Sequence, residues 1–228
     1  MQIPRWLAAA FAAVLLLGAC GGDDDSGAAA GSDSSDDATA AELPELPDAE
    51  QLQPGLLTIA DMPAGWAEVP DDGEDEDDSQ LCGIKLAELL GFDADEMPHA
   101  EVQFAEDVDV GPSIGEEVGF APEGRGEDAF QLLRDAIADC EGDTIGGLDV
   151  TVSELSFPAV GEESMAYRIH LEDPDSGQEL DVDVVWARHG DLLIYLFAYD
   201  ALDNPTKLLQ TYAPSAVDKA SAELLVGG

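Results

Sequence analysis

Basic side chains are scarce. Eight lysines and arginines stand against 51 aspartates and glutamates, for a formal net charge of −43. No basic stripe exists to displace counterions from phosphates, which excludes a nucleic-acid partner. Adsorption to an anionic membrane surface by charge is excluded for the same reason. Cysteine is almost as rare, with only Cys20, Cys82 and Cys140. No CxxC or HxxxH spacing occurs, and His99, His170 and His189 do not pair at ligand distance in the chain, so no metal is expected. The chain lacks GxSxG, P-loop, GxGxxG and HExxH motifs, so no cofactor and no catalytic activity are expected. A triad of Ser164, His170 and Asp181 is the one hydrolase reading left, and any chain this acidic offers such combinations. The acidity does not itself imply disorder, because 45% of residues are hydrophobic and fall in blocks.

Long apolar runs are also few. Trp6 to Leu17 form the main one, preceded by Arg5. It is shorter than the roughly 20 residues of a membrane span and suits the apolar region of a signal peptide. It ends in Leu17-Gly18-Ala19-Cys20, which resembles the lipobox of bacterial lipoproteins. The resemblance implies cleavage after residue 19 and acylation of Cys20, with palmitate-type chains holding the protein at the outer face of the cell membrane. An ordinary signal peptide with a chance cysteine is the alternative. With Cys20 lipidated in an oxidising compartment, the even pair Cys82 and Cys140 favours a disulfide over two buried thiols. Such a bond would stabilise by about 4 kcal/mol in the chain-entropy picture.

Residues 20–54 read as a tether of Gly, Ala, Ser, Asp, Glu and Pro, with ten acids, no base and no aromatic ring in 21–54. Mutual repulsion keeps such a segment extended. Residues 55–228 form one block, long enough for a single core. Thr58 is placed to cap one helical turn ended by Pro63, and a strand follows near 66–69. Asp71 to Asp78 is a loop with seven acids in eight residues. It lacks the order and the distal Glu of an EF-hand, so weak, nonspecific cation association is expected, with a solvated loop as the alternative. A helix is predicted over about 80–90, with Gly91 stopping it. Strands are predicted near 100–106 and 114–120. A helix over 126–140 carries Ala129, Phe130, Leu133, Ala136, Ile137 and Cys140 at helical spacing. Strands near 150–157, 164–172, 179–188 and 191–199 come next. The last is apolar on both faces, which places it inside a sheet covered on both sides. Asn204 and Pro205 open a final helix, which Pro214 should kink or restart. Strands followed by strands with flanking helices are the α+β pattern, here an antiparallel sheet packed by helices.

The segment Leu56-Leu57-Thr58-Ile59-Ala60-Asp61-Met62-Pro63-Ala64-Gly65-Trp66, the helix ending in Cys140 and the stretch from Val184 to Leu193 resemble a broad group of actinobacterial surface lipoproteins. They also look like the extracellular sensor-type domain of mycobacterial receptor kinases of the PknH type. The resemblance implies an antiparallel sheet with helices, a cleft and a binding role. The kinase-linked domain has two disulfides where only one can form here, and it carries over no site residues.

Two strands invite a register test. If Asp173 to Gln178 is the loop, paired residue numbers sum to 351. Met165, Tyr167, Ile169 and Leu171 then face Trp186, Val184, Val182 and Leu180 on one apolar face. The other face sets Arg168 opposite Asp183 and His170 opposite Asp181. Arg168 and His170 are the candidate ligand-cleft residues, able to hold an anionic ligand if that face lines a cavity. The competing and favoured reading is a pair of exposed cross-strand contacts of about 0.2–1 kcal/mol each. The sequence thus predicts a noncatalytic, lipid-anchored binding or sensor-like domain with a small ligand. An envelope accessory protein acting by protein contacts is the alternative.

Overall fold

The computed structural model describes residues 46–70, 98–106, 111–122, 124–138, 144–145, 147–200 and 204–225. The acidic loop 71–78, the helix expected over 80–90, and Cys20, Cys82 and Cys140 lie outside the described residues.

The first described element is α1 (Ala49–Leu52), capped by Asp48, whose Oδ1 accepts from the Gln51 N–H. Turns of 3-10 helix follow at Gln53–Gly55 and Ile59–Asp61. Residues 49–54, read as tether from their composition, therefore lie on the domain, with Leu52 fully buried. Among the described residues eight strands follow: β1 (Ala67–Glu68), β2 (His99–Ala105), β3 (Ser113–Phe120), β4 (Thr144–Ile145), β5 (Leu148–Glu154), β6 (Glu163–Glu172), β7 (Glu179–His189) and β8 (Leu192–Tyr199). Between β3 and β4 lies α2 (Gly126–Ala138), and after β8 comes α3 (Pro205–Leu225).

The strands make one sheet in the order β1-β2-β3-β8-β7-β6-β5-β4, antiparallel throughout. The chain leaves β3 through α2 to the far edge, then returns strand by strand until β8 fits beside β3. This is the expected α+β architecture. β8 sits inside the sheet, as its two apolar faces require. Leu192, Ile194, Leu196 and Ala198 join the core under α3, while Phe197 joins the cluster on the opposite face.

The first face is covered by α3 through Leu209, Ala213, Ala216, Val217 and Ala220 and by the N-terminal arm through Leu52, Leu56, Leu57 and Met62. Burying each large apolar side chain there contributes about 1.5–3 kcal/mol. On the second face, Leu133 and Ile137 of α2 pack against Val152, Met165, Tyr167 and Trp186. A row of rings crosses this face: Tyr167 and Trp186 are 6.5 Å apart, Trp186 and Tyr195 4.8 Å, and Tyr195 and Phe197 5.9 Å. Burial drives the Tyr195 hydroxyl pKa up, helped by the Glu117 charge.

The final helix is expected from its sequence to kink or restart at Pro214. α3 continues through Pro214 as one helix, so it does not restart. The proline removes one backbone donor, but the buried stripe on both sides of it holds the helix to the sheet. β5 ends at Glu154 rather than continuing to Phe157; one further bond to β6, from the Leu155 N–H to the Ala166 carbonyl at 2.9 Å, closes the ladder.

Candidate functional site

The β6–β7 register is the one that the loop length and alternation dictate. Met165 faces Trp186, Tyr167 faces Val184, Arg168 faces Asp183 and His170 faces Asp181. The loop is built by Asp173, whose Oδ1 accepts from the N–H groups of Asp175 and Ser176 and whose Oδ2 accepts from the Ser176 hydroxyl. Those bonds hold the Asp173 carboxyl below its ordinary pKa. Gly177 supplies the positive φ of 67° that closes the loop.

Arg168 makes a two-pronged contact with Asp183. Its Nε donates to Oδ1 at 2.7 Å and its Nη2 to Oδ2 at 2.9 Å. The Thr206 hydroxyl, in the first turn of α3, donates to the same Asp183 Oδ2, and Arg168 Nη2 also reaches Thr206 Oγ1 at 3.3 Å. Asp181 lies 3.5 Å from Nη1. The Asp183 bond raises the Arg168 pKa above its ordinary value. The pair differs from the exposed contact expected, because the Asp183 side chain is 0% exposed while Arg168 remains 31% exposed. α3 closes over the inner end of this row, and a buried carboxylate requires the fork-shaped partner that Arg168 provides.

Farther out, the same face opens to solvent. His170 Nδ1 and Asp181 Oδ1 are 2.8 Å apart, with both side chains more than one-third exposed. Glu172 and Glu179 come next, directly opposite each other. A His170 ring nitrogen and one oxygen from each of Glu172 and Glu179 lie within 4.8 Å of one another. The row thus grades from a consumed guanidinium to a solvated acidic rim, and its chemistry suits a polar or cationic surface better than an anion.

The hydrolase reading fails on geometry. Asp181 does hold His170, but Ser164 stands opposite Ala187, six residues along the strand from His170, or about 20 Å. Its hydroxyl oxygen accepts from the Val160 N–H instead.

A second polar group was not foreseen. Arg134 of α2 donates to Glu163 at 2.7 Å, and Arg188 reaches Glu163 at 3.3 Å and Glu162 at 3.4 Å. The Arg134 bond, reinforced by Arg188, lowers the Glu163 pKa. Glu162 also accepts from the Gly190 N–H, and Ser221 of α3 meets His189 at 3.3 Å. This network ties α2, the β7–β8 turn and α3 together. Its residues are scattered along the chain, and no local spacing announces it.

No protein-family model and no curated protein matches the chain. Among solved structures, it is similar to the extracellular domain of PknH from Mycobacterium tuberculosis, with a TM-score of 0.48 and 13% identity over 78% of this chain and 98% of that one.

Proposed function

We propose that this protein is a noncatalytic, sensor-like binding domain held by lipid at the outer face of the cell membrane. Cys20 is the anchor, 20–47 the spacer and a Cys82–Cys140 disulfide the covalent brace. The binding surface is the outer end of the β6–β7 hairpin, around His170 and Asp181. The observation that supports it is the state of Arg168. Its guanidinium is engaged by a buried carboxylate and so is a poor anchor for an anion, while the rim presents His170, Asp181, Glu172 and Glu179 to solvent. The acidic rim also favours the second reading, an accessory protein that meets a basic segment of an envelope partner.

The anchor is tested in the full chain in a lipoprotein-processing bacterial host. Wild type should enter the detergent phase, and mass spectrometry should find a diacylglyceryl-type addition on Cys20. Cys20→Ser should stay in the aqueous phase or keep its leader. An unmodified mature N-terminus elsewhere would end the lipid-anchor reading. Binding is tested separately by native mass spectrometry of the purified chain. A retained mass that the His170→Ala/Asp181→Ala variant loses supports the hairpin as the surface, and a retained mass unaffected by it removes that assignment.

A further inference from the structure

The N-terminal arm, residues 48–62, is strapped over the sheet by a carboxyl group buried beneath it. Glu116 on β3 points into the face under α3 and is 2% exposed. Its Oε2 accepts from the Leu57 N–H at 2.6 Å, a contact between segments 59 residues apart. Its Oε1 has no hydrogen-bond partner among the described residues. Leu52, Leu56, Leu57 and Met62 bury their side chains in the core of the same face. Gly55 lies so close to α3 that an added Cβ would come within 2.6 Å of Leu224. Two charged groups act on Glu116 from neighbouring elements, Asp61 from the arm's second turn and Lys219 from α3, and they are 3.4 Å from each other. Lys219 is thus shared with Asp61 and does not pair directly with Glu116.

A charged carboxylate in this position is poorly served. It has one backbone donor, a bare oxygen and an apolar surround, and desolvation penalises the ion far more than the neutral acid. We propose that the arm is a proton-governed strap, seated on the sheet when Glu116 is neutral and loosened when Glu116 is charged. Burial, only partly offset by the Leu57 bond and Lys219, pushes the Glu116 pKa from 4.5 up to about 7. In the unseated state Glu116 meets water and returns toward its ordinary value. The seated state therefore has the higher pKa. Its advantage is full below about 4.5 and is lost as pH rises through about 7. The strap joins the domain to the segment that precedes it, so the pH outside the cell would set how firmly that junction is held. The inference stands whether or not Cys20 is acylated.

Hydrogen exchange of the full chain, followed by mass spectrometry on peptides covering 52–62, tests it. From pH 5.5 to pH 8, after correction for intrinsic exchange, opening of this segment should increase by roughly ten- to thirty-fold, while peptides from β7 and β8 hold steady. Glu116→Gln keeps an acceptor for Leu57 and removes the proton, so its exchange should be flat with pH. A flat wild type, or a pH response that survives in Glu116→Gln, would overturn the proposal. Should the variant fail to fold, carbon NMR titration of Glu116 in the wild-type chain decides. A midpoint near 7 supports the strap, and one near 4.5 overturns it.

Discussion

Arg168 and Asp183 show how the worth of a contact depends on what lies above it. On the hairpin alone the pair is a cross-strand contact at the edge of significance. With Thr206 of α3 placed over it, Asp183 loses all exposure and the pair becomes obligatory. Arg168→Met should therefore cost about 3 kcal/mol in urea unfolding, because it strands a buried charge. Arg168→Met combined with Asp183→Leu should recover most of that loss, since a buried ion pair replaced by apolar groups is close to neutral. A double variant no more stable than the single one would show that the charge, rather than its abandonment, stabilises the fold. Alternation and loop length made the pairing legible. The burial was not legible, because it needs a helix that begins at Pro205 and arrives from outside the hairpin.

Among the elements, α2 was readable as a helix from its apolar spacing, and its start at Gly126 was placed by sequence, but its N-terminal cap was not. Its N-terminal cap comes from across the fold: Asp191, in the β7–β8 turn, accepts from the N–H groups of Gly124 and Gly126 at 2.8 Å each. Gly126 has no room for a side chain, since a Cβ there would stand 2.2 Å from the Gly190 oxygen. No local rule links positions 65 residues apart. Asp191→Ala should lower stability by about 1–2 kcal/mol through the two lost N-terminal bonds and the lost charge at the helix dipole. Thermal unfolding would read the effect, and a change within about 0.5 kcal/mol, as at an ordinary surface site, would assign the capping to water. α3 teaches the reverse lesson. Pro214 argued locally for a kink or a restart, and the helix continues through it with its buried stripe on both sides.

For the whole molecule, the excess of acid sets the solvent dependence of stability. Few carboxylates can find a cation when eight bases face 51 acids, so like-charge repulsion outweighs pairing. Raising sodium chloride from 0.05 M to 1 M should raise the melting temperature, because screening acts on that repulsion. The buried Arg168–Asp183 pair should be little affected. A melting temperature that falls over this range would mean that surface pairs such as Arg134–Glu163 dominate. Composition gave this property directly, and alternation gave most of the strands. Strand order was less accessible, because β3 takes β8 as its neighbour after five other elements have intervened, and periodicity carries no information about which strand is next to which.

That same neighbour choice fixes an order of events for a chain delivered from its N-terminus. Phe120 waits for Leu192 and Ser113 for Tyr199, while Leu52, Phe104 and Ile114 wait for the face of α3 that follows. The first three strands can pair with one another, but the other edge of β3 must wait without a partner, and their face without the cover of α3, until the last part of the polypeptide emerges, and the loop then closed is a large one. Completion of the sheet is therefore a late, nearly all-or-none step, and a chain cut short before β8 leaves two half-sheets with open edges.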